Sequence, residues 1–433
     1  MDETSFPNAK PRNALLIAYK AFADLAGKGS LFVITIVAAR RLSPESFGVF
    51  SLGSTLGWMV AVVSDFGIQL HLARAVARRP ADASRLLRGW LRIRLWTAAG
   101  AVTIVAIGLT AGWRASYATP IAVLALVYAC SGLIELLHYF YRGLSRSDVE
   151  SSLTLWQRGA TLGCGLIALA WRPDVTVLAV AMLIPVAVTL AISLRIAQGM
   201  NVAQGEYVAQ GVGVAQGATF ASDSATFGVF RRDVWPIGAG IVLSALYFRI
   251  DVFLVQLWSG TESVAFYNAV FRLVEALRLF PAAVLAVVLP SLVRAGDLRP
   301  LTRVAIPITG FAIAAAAVLW IAAGWLIPFL YGAPYAPAVP AFRVLLLSFP
   351  LLSLNFALTH QLVGWDGQRA YAGLCALALV INVVLNARLI PLWSIEGAAW
   401  ATLGTEIFLT VGCGIALWSM RAPAQAGHLV MEP

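Results

Sequence analysis

The chain has 433 residues, of which 60% are hydrophobic and only 12% are charged. Soluble globular proteins carry roughly 25% charged residues, so the composition argues against a soluble enzyme. The formal net charge of +10 could suggest nucleic-acid binding, but the basic residues lie between long apolar stretches. The four cysteines stand singly in apolar segments, which argues against a disulfide framework and a zinc site. The composition is typical of a polytopic helical membrane protein.

Apolar runs close to the ~18–20 residues needed to cross a bilayer recur along the chain. Twelve spans are predicted, near residues 14–39, 47–71, 93–112, 118–141, 154–171, 174–197, 234–257, 263–290, 301–326, 339–363, 370–390 and 396–419. Residues 1–12 are polar and show no cleavable signal-peptide pattern, so the first span is expected to stay in the protein.

The placement of Lys and Arg predicts the orientation of these spans. If the N-terminus is cytoplasmic, most basic residues fall in cytoplasmic segments, and the richest of these runs from Arg74 to Arg94. With an even number of spans, both termini are then cytoplasmic. We interpret Arg74–Arg94 as a topology-setting loop with an interfacial helix rather than a nucleic-acid patch. Its basic residues favour anionic lipid headgroups.

The sequence also indicates two similar halves. Residues 199–226 repeat Val-Ala-Gln-Gly three times, a Gln- and Gly-rich pattern with little to bury. Pro44–Ser51 aligns with Thr261–Asn268, half a chain length apart. The predicted organisation is an N-terminal six-helix lobe over residues 1–198, a flexible cytoplasmic linker over residues 199–230, and a C-terminal six-helix lobe over residues 231–433. Parallel repeats of this kind place a substrate site between the halves.

Three groups of motifs carry a family resemblance. They are Ala39–Phe50 with Asp65–Gly67 and Ala73–Arg78; Arg249–Phe253 with Tyr267–Ala269, Phe271–Glu275 and Leu289–Pro290; and Tyr331–Gly332 with Asn382, Asn386, Leu389–Pro391 and Glu396–Ala399. Over residues 14–419 the chain resembles the oligosaccharide flippase (polysaccharide biosynthesis transporter) family, which includes O-antigen flippases. This family is part of the multidrug/oligosaccharidyl-lipid/polysaccharide exporter superfamily. The low-complexity linker departs from the family pattern.

The resemblance implies an all-α polytopic membrane protein with two pseudo-symmetric six-helix bundles around a central cavity. It implies a secondary transporter, not an enzyme, that moves polyprenyl-pyrophosphate-linked oligosaccharide across the bacterial inner membrane. The movement is from the cytoplasmic to the outer leaflet, for the biosynthesis of surface polysaccharides such as lipopolysaccharide. The expected partners are this lipid-linked oligosaccharide, membrane lipids and polysaccharide assembly proteins. No cofactor, metal or nucleic acid is expected, and the chain is expected to act as a monomer.

Other functions stay open at this point. A small-molecule drug or cation exporter of the same superfamily has the same composition, and a flippase for peptidoglycan precursor would call for extra spans. A membrane-embedded glycan polymerase or ligase would need a long outer loop with an acid/base pair, but the longest outer segment, near residues 331–340, is short. Gly27–Ser30 lacks the glycine spacing of a nucleotide-binding loop.

Charged residues inside spans are candidates for function, because each costs about 2.5–3.5 kcal/mol on insertion scales. Guanidinium groups offer phosphate oxygens a planar fork of donors, so the predicted cationic lining of the cavity is Lys28, Arg249, Arg272 and Arg278. Candidates for proton or ion coupling are Asp24, Asp65, Glu135, Asp251 and Glu275. Neutral polar candidates for the cavity are Asn355, His360 and Asn382.

Each of these residues also has a structural interpretation. Asp24 lies four residues from both Lys20 and Lys28, so it can pair with either of them. Arg272 can pair with Glu275, and Arg142 can pair with Glu135 and His138. Such pairs would neutralise the charges without a ligand. The neutral groups can form hydrogen bonds across helices instead of contacting sugar.

Overall fold

A computed structural model of the chain describes residues 11–112, 115–211, 234–294 and 297–428. Its helices are α1 Pro11–Arg41, α2 Pro44–Asp65, α3 Ile68–Arg78, α4 Ala83–Gly112, α5 Ala115–Gly143, α6 Ser147–Trp171, α7 Val175–Gly211, α8 Trp235–Leu277, α9 Leu279–Arg294, α10 Arg299–Tyr331, α11 Val339–Gly364 and α12 Gln368–His428. Short 3₁₀ turns occupy Pro80–Asp82 and Ala333–Ala338. The described residues contain no strand.

Two long helices are interrupted by non-helical residues. In α8 the break is at Gly260, with φ 82° and ψ 177°, a backbone conformation that glycine adopts without a steric cost. In α12 the break is at Ser394, with φ 50° and ψ −126°. Each break separates two halves that are long enough to cross a membrane, as the sequence predicts for residues 234–290 and 370–419. The described chain thus has about twelve transmembrane helices, which confirms the predicted all-α membrane fold.

One predicted span differs from the structure. The span expected at residues 47–71 consists of α2, which ends at Asp65, and the short helix α3, which begins at Ile68. Phe66 and Gly67 between them have positive φ values of 45° and 80°. Ile68, Leu72 and Val76 of α3 are buried and share one face, because they are four residues apart. The predicted span ran across the polar pair Ser64 and Asp65, where α2 ends.

Many large apolar side chains lie on the surface. Ile321 is 83% exposed and Trp171 is 81% exposed. Soluble monomers rarely expose contiguous apolar surface on this scale. The exposed side chains of these helices therefore require a lipid environment.

The described chain forms two compact units. The first includes α1 as far as Thr35, together with α3–α7. Within it, α5 packs against α3, α4 and α7, and α6 packs against α7. The hydroxyl of Tyr141 on α5 donates to the carbonyl oxygen of Ser193 on α7 at 2.6 Å.

The second unit includes residues 36–66 together with α8–α12. Within it, α12 packs against α8 and α11, α10 packs against α11, and α2 packs against α8. A Cβ atom at Gly48 of α2 would lie 2.0 Å from the carbonyl oxygen of Thr261, and one at Gly238 of α8 would lie 2.4 Å from that of Phe66. Small residues at these points let the two backbones approach closely at both ends of α2.

The units and the predicted lobes divide the chain differently. Residues 36–66 belong to the second unit because of the contact between α2 and α8, whereas the predicted N-terminal lobe covers residues 1–198. Helix α7 continues to Gly211, so the predicted linker begins inside a helix, and residues 212–230 lie outside the described part. The lobes and the linker stay a prediction.

Candidate functional site

Buried and half-buried cations cluster in the second unit where the two halves of α8 meet. Arg249, in the first half, is 3% exposed. It donates to Asn268 Oδ1 at 3.2 Å and to Glu275 Oε2 at 3.3 Å, both in the second half. Arg272 Nη1 donates to the same Glu275 oxygen at 2.9 Å. The break at Gly260 lets the second half fold back on the first, which brings residues 26 positions apart into contact.

Arg278 completes this cationic cluster. It follows α8, and its guanidinium carbon lies 4.6 Å from the ring centroid of Phe248 and 5.8 Å from that of Phe356. Stacking on aromatic faces stabilises a guanidinium group without neutralising its charge. Among the described residues, no carboxylate forms an ion pair with Arg278. Of the three arginines of the predicted cationic lining, Arg249 and Arg272 thus form ion pairs with Glu275, whereas Arg278 forms none in the described chain.

Asp251 lies beside this cluster without joining its ion pairs. Its carboxylate accepts a hydrogen bond from the Tyr267 hydroxyl and another from the backbone N–H of Val252 at 2.8 Å. The cluster therefore sets three guanidinium groups against the carboxylates of Glu275 and Asp251. With these five groups ionised, and with Glu406, which also interacts with Arg278, in its neutral form, the cluster carries one surplus positive charge.

A second charged group lies in the first unit and is centred on Glu150 of α6. Glu150 is 2% exposed, and it accepts from Lys20 Nζ at 2.7 Å and from Arg142 Nε at 2.8 Å. Lys20 also lies 3.6 Å from Asp24. Among the described residues, Lys28 is exposed and forms no ion pair.

The expected pairing around Arg142 needs correction. Its partner is Glu150, whereas Glu135 is exposed and His138 is buried. The sequence suggested a partner for Arg142 on the same helix, α5. In the structure, Arg142 instead pairs with Glu150 of the next helix, α6. Asp65, the last residue of α2, is buried at 6% exposure.

The neutral polar candidates bond between and within helices of the second unit. Asn355 on α11 donates to the Oε2 atom of Glu406 on α12 at 2.7 Å. Asn382 donates to Thr405 at 3.1 Å, which joins the two halves of α12. The Nδ1 atom of His360 lies 2.7 Å from the carbonyl oxygen of Phe356.

Sequence reasoning missed Glu150 and Glu406. Glu406 lies well inside the predicted span 396–419, whereas Glu396 lies at its first residue, so the cost of burying charge was a signal that could have found Glu406. Glu150 precedes the predicted span 154–171 and carried no such signal. No set of three His, Cys, Asp or Glu side chains in the described chain could hold a metal ion. The four cysteines are free.

Comparison with solved structures shows which known proteins share this fold. A multidrug resistance MATE family transporter of the MOP superfamily, in an inward-facing conformation, matches with a TM-score of 0.68 and 13% identity, over 93% of this chain and 96% of the other. The lipid II flippase MurJ, in an inward closed conformation, matches with a TM-score of 0.69 and 12% identity, over 96% and 91%. A mutant of the Vibrio cholerae MATE transporter VcmN matches with a TM-score of 0.59 and 14% identity, over 96% and 97%. The fold is that of the multidrug/oligosaccharidyl-lipid/polysaccharide exporters.

The sequence identifies the family within this class. Residues 17–295 match the family model described as Polysaccharide biosynthesis protein. This match covers more than half of the chain, and the protein belongs to that family. No curated protein matches the sequence. The resemblance drawn from the motifs is confirmed, and the protein is a membrane protein of the polysaccharide biosynthesis family.

Proposed function

We propose that this protein flips polyprenyl-pyrophosphate-linked oligosaccharide from the cytoplasmic to the outer leaflet of the bacterial inner membrane, for surface polysaccharide biosynthesis. Alternating access of the two predicted lobes moves the substrate, and both termini are cytoplasmic. The protein acts as a monomer that receives its substrate from the lipid phase and works beside polysaccharide assembly proteins. The observation that carries this proposal is the surplus positive charge at Arg249, Arg272 and Arg278.

Burying a charge in an apolar span costs free energy, so such charges are candidates for function. A surplus of positive charge there favours a negatively charged ligand. Arg249 and Arg272 share Glu275, which fixes both guanidinium groups in place. Arg278 is half-buried and has an aromatic face but no carboxylate partner in the described chain. A guanidinium group held in this way can bind two phosphate oxygens through parallel hydrogen bonds. We infer that the diphosphate of the lipid carrier binds at Arg278. Arg249 and Arg272 add positive electrostatic potential near this site.

The same charge disfavours the alternative of a small-cation exporter. A cationic drug near Arg278 would be repelled, and the nearby carboxylates of Glu275 and Asp251 already have donors. Some solved structures with this fold are named as multidrug resistance transporters. Small cations are therefore tested as ligands beside the lipid-linked glycan. The absence of a long outer loop in the sequence disfavours a polymerase or ligase.

Binding of a polyprenyl diphosphate to the purified protein tests the proposed site. Arg278→Gln removes the surplus charge, and we expect about 10- to 100-fold weaker binding, because hydrogen bonds to charged groups contribute roughly 1.5–3 kcal/mol. Arg303→Gln is the matched control, since Arg303 is exposed at the start of α10 in the same unit. The parent should prefer the diphosphate to the monophosphate. Equal binding by the parent and Arg278→Gln would refute this site, and tighter binding of an organic cation would favour the drug exporter.

A further inference from the structure

A second buried carboxyl group, outside the ion pairs of the cationic cluster, lies between α11 and α12. Glu406 is 2% exposed. Asn355 Nδ2 donates to its side-chain Oε2 at 2.7 Å and to its backbone carbonyl at 3.0 Å. Thr410 donates to Asn355 Oδ1 at 2.8 Å. The amide of Asn355 is thus held with its NH₂ group toward Glu406 and its oxygen toward Thr410.

These contacts do not compensate an ionised carboxylate. In the described chain no Lys, Arg or His forms an ion pair with Glu406, and its donor is a neutral amide. A buried charge without a paired cation is costly, and a carboxyl group avoids this cost by taking up a proton. A bound metal ion is not the alternative, because Asn355 presents nitrogen rather than oxygen to the carboxylate. Hard cations are bound by several oxygen ligands.

The titratable groups that interact with Glu406 include one cation. From α8, Tyr247 and the Arg278 that follows it interact with Glu406, and on α12 Cys375 and Cys413 do so. From α11 the nearest titratable residue in sequence to Asn355 is His360, whose ring lies against Phe356. Arg278 is the charged group in this set, and it approaches the ring of Phe356, the residue next to Asn355. The charge state of Glu406 therefore acts on the cation that we assign to the diphosphate.

We propose that Glu406 is a proton-binding site and that its proton favours phosphate binding at Arg278. When Glu406 is protonated, the charge of Arg278 is available to an anion. When Glu406 loses its proton, its carboxylate attracts Arg278 and competes with the phosphate. Binding is reciprocal, so the anion also strengthens proton binding. This inference rests on the proposed function for the identity of the anion.

The first test is the pH dependence of polyprenyl diphosphate binding to the purified protein. The affinity of the parent should fall as the pH rises, by about 5- to 150-fold between the protonated and ionised states of Glu406. Glu406→Gln imitates the neutral acid, so it should keep the tighter affinity and lose this dependence. Any ionisation of the probe itself affects all variants equally. Glu396→Gln, at a half-buried acid on the same helix, is the matched control and should follow the parent.

The second test is infrared spectroscopy, which needs no substrate. The parent at neutral pH should show the carbonyl band of a protonated carboxyl group that is absent from Glu406→Gln. Glu406→Asp keeps the acid, should shift this band, and serves if the Gln variant does not fold. Absence of the band, or parallel pH profiles of the parent and Glu406→Gln, would overturn the proposal. If the parent binds no polyprenyl diphosphate at any pH, the proposed function fails and so does the link to phosphate, whereas the infrared band still decides whether Glu406 binds a proton.

Discussion

The close approach of α2 and α8 predicts that Gly48 tolerates no side chain. A Cβ atom there would lie 2.0 Å from the backbone oxygen and 2.8 Å from the Cγ2 atom of Thr261. Real Cβ atoms stay at least 3.0 Å from such neighbours, so the two backbones must move apart by about 1 Å. Because the obstacle is backbone, no rotamer change relieves it. Overpacking costs typically 1–3 kcal/mol, and we expect Gly48→Ala to destabilise the protein by about 2–3 kcal/mol.

Unfolding of the purified variants in detergent, followed by circular dichroism, measures this effect. Gly324→Ala is the control, since a Cβ atom at Gly324 in α10 meets nothing within 4 Å. Replacing glycine in an open helix interior should stabilise it by roughly 0.5–1 kcal/mol, so the two alanine variants should shift the midpoint in opposite directions. A Gly48→Ala protein as stable as the parent would refute the inferred contact between α2 and α8.

Two further predictions concern the first unit. Glu150→Gln should lower the free energy of unfolding by about 2–3 kcal/mol, because Lys20 and Arg142 lose their buried partner, and detergent unfolding measures the loss. At the start of α6, the hydrogen bond from Arg146 lowers the pKa of Asp148. This pair stabilises the fold above the ordinary carboxyl pKa and loses its effect as the pH falls through the lowered value. An NMR titration of Arg146→Gln should show the pKa of Asp148 raised toward its usual range, and an unchanged pKa would contradict the assignment.

The sequence predicted the membrane fold well because a helix that crosses a bilayer needs a long apolar run. It also paired Arg272 with Glu275 correctly, since three-residue spacing on a helix places both side chains on one face. It missed the end of α2 at Asp65, because the predicted span ran across the polar pair Ser64 and Asp65 and the following Gly67 to the apolar residues beyond them.

The sequence could not identify partners that are distant along the chain. Glu150 meets Lys20 across 130 positions, and Asn355 meets Glu406 across 51. Helical periodicity shows which face a side chain occupies but not which helix packs against that face. For the same reason, the sequence could not decide which arginine of the cationic cluster stays without a carboxylate. That choice depended on how α8 folds back at Gly260.

Translocation of a labelled polyprenyl-diphosphate oligosaccharide in proteoliposomes tests the central claim most directly. The parent and the Arg303→Gln control should move the label to the opposite leaflet, and Arg278→Gln should move it at least about tenfold more slowly at subsaturating substrate. A parent that leaves the lipid-linked glycan in place but exports small organic cations would contradict the account.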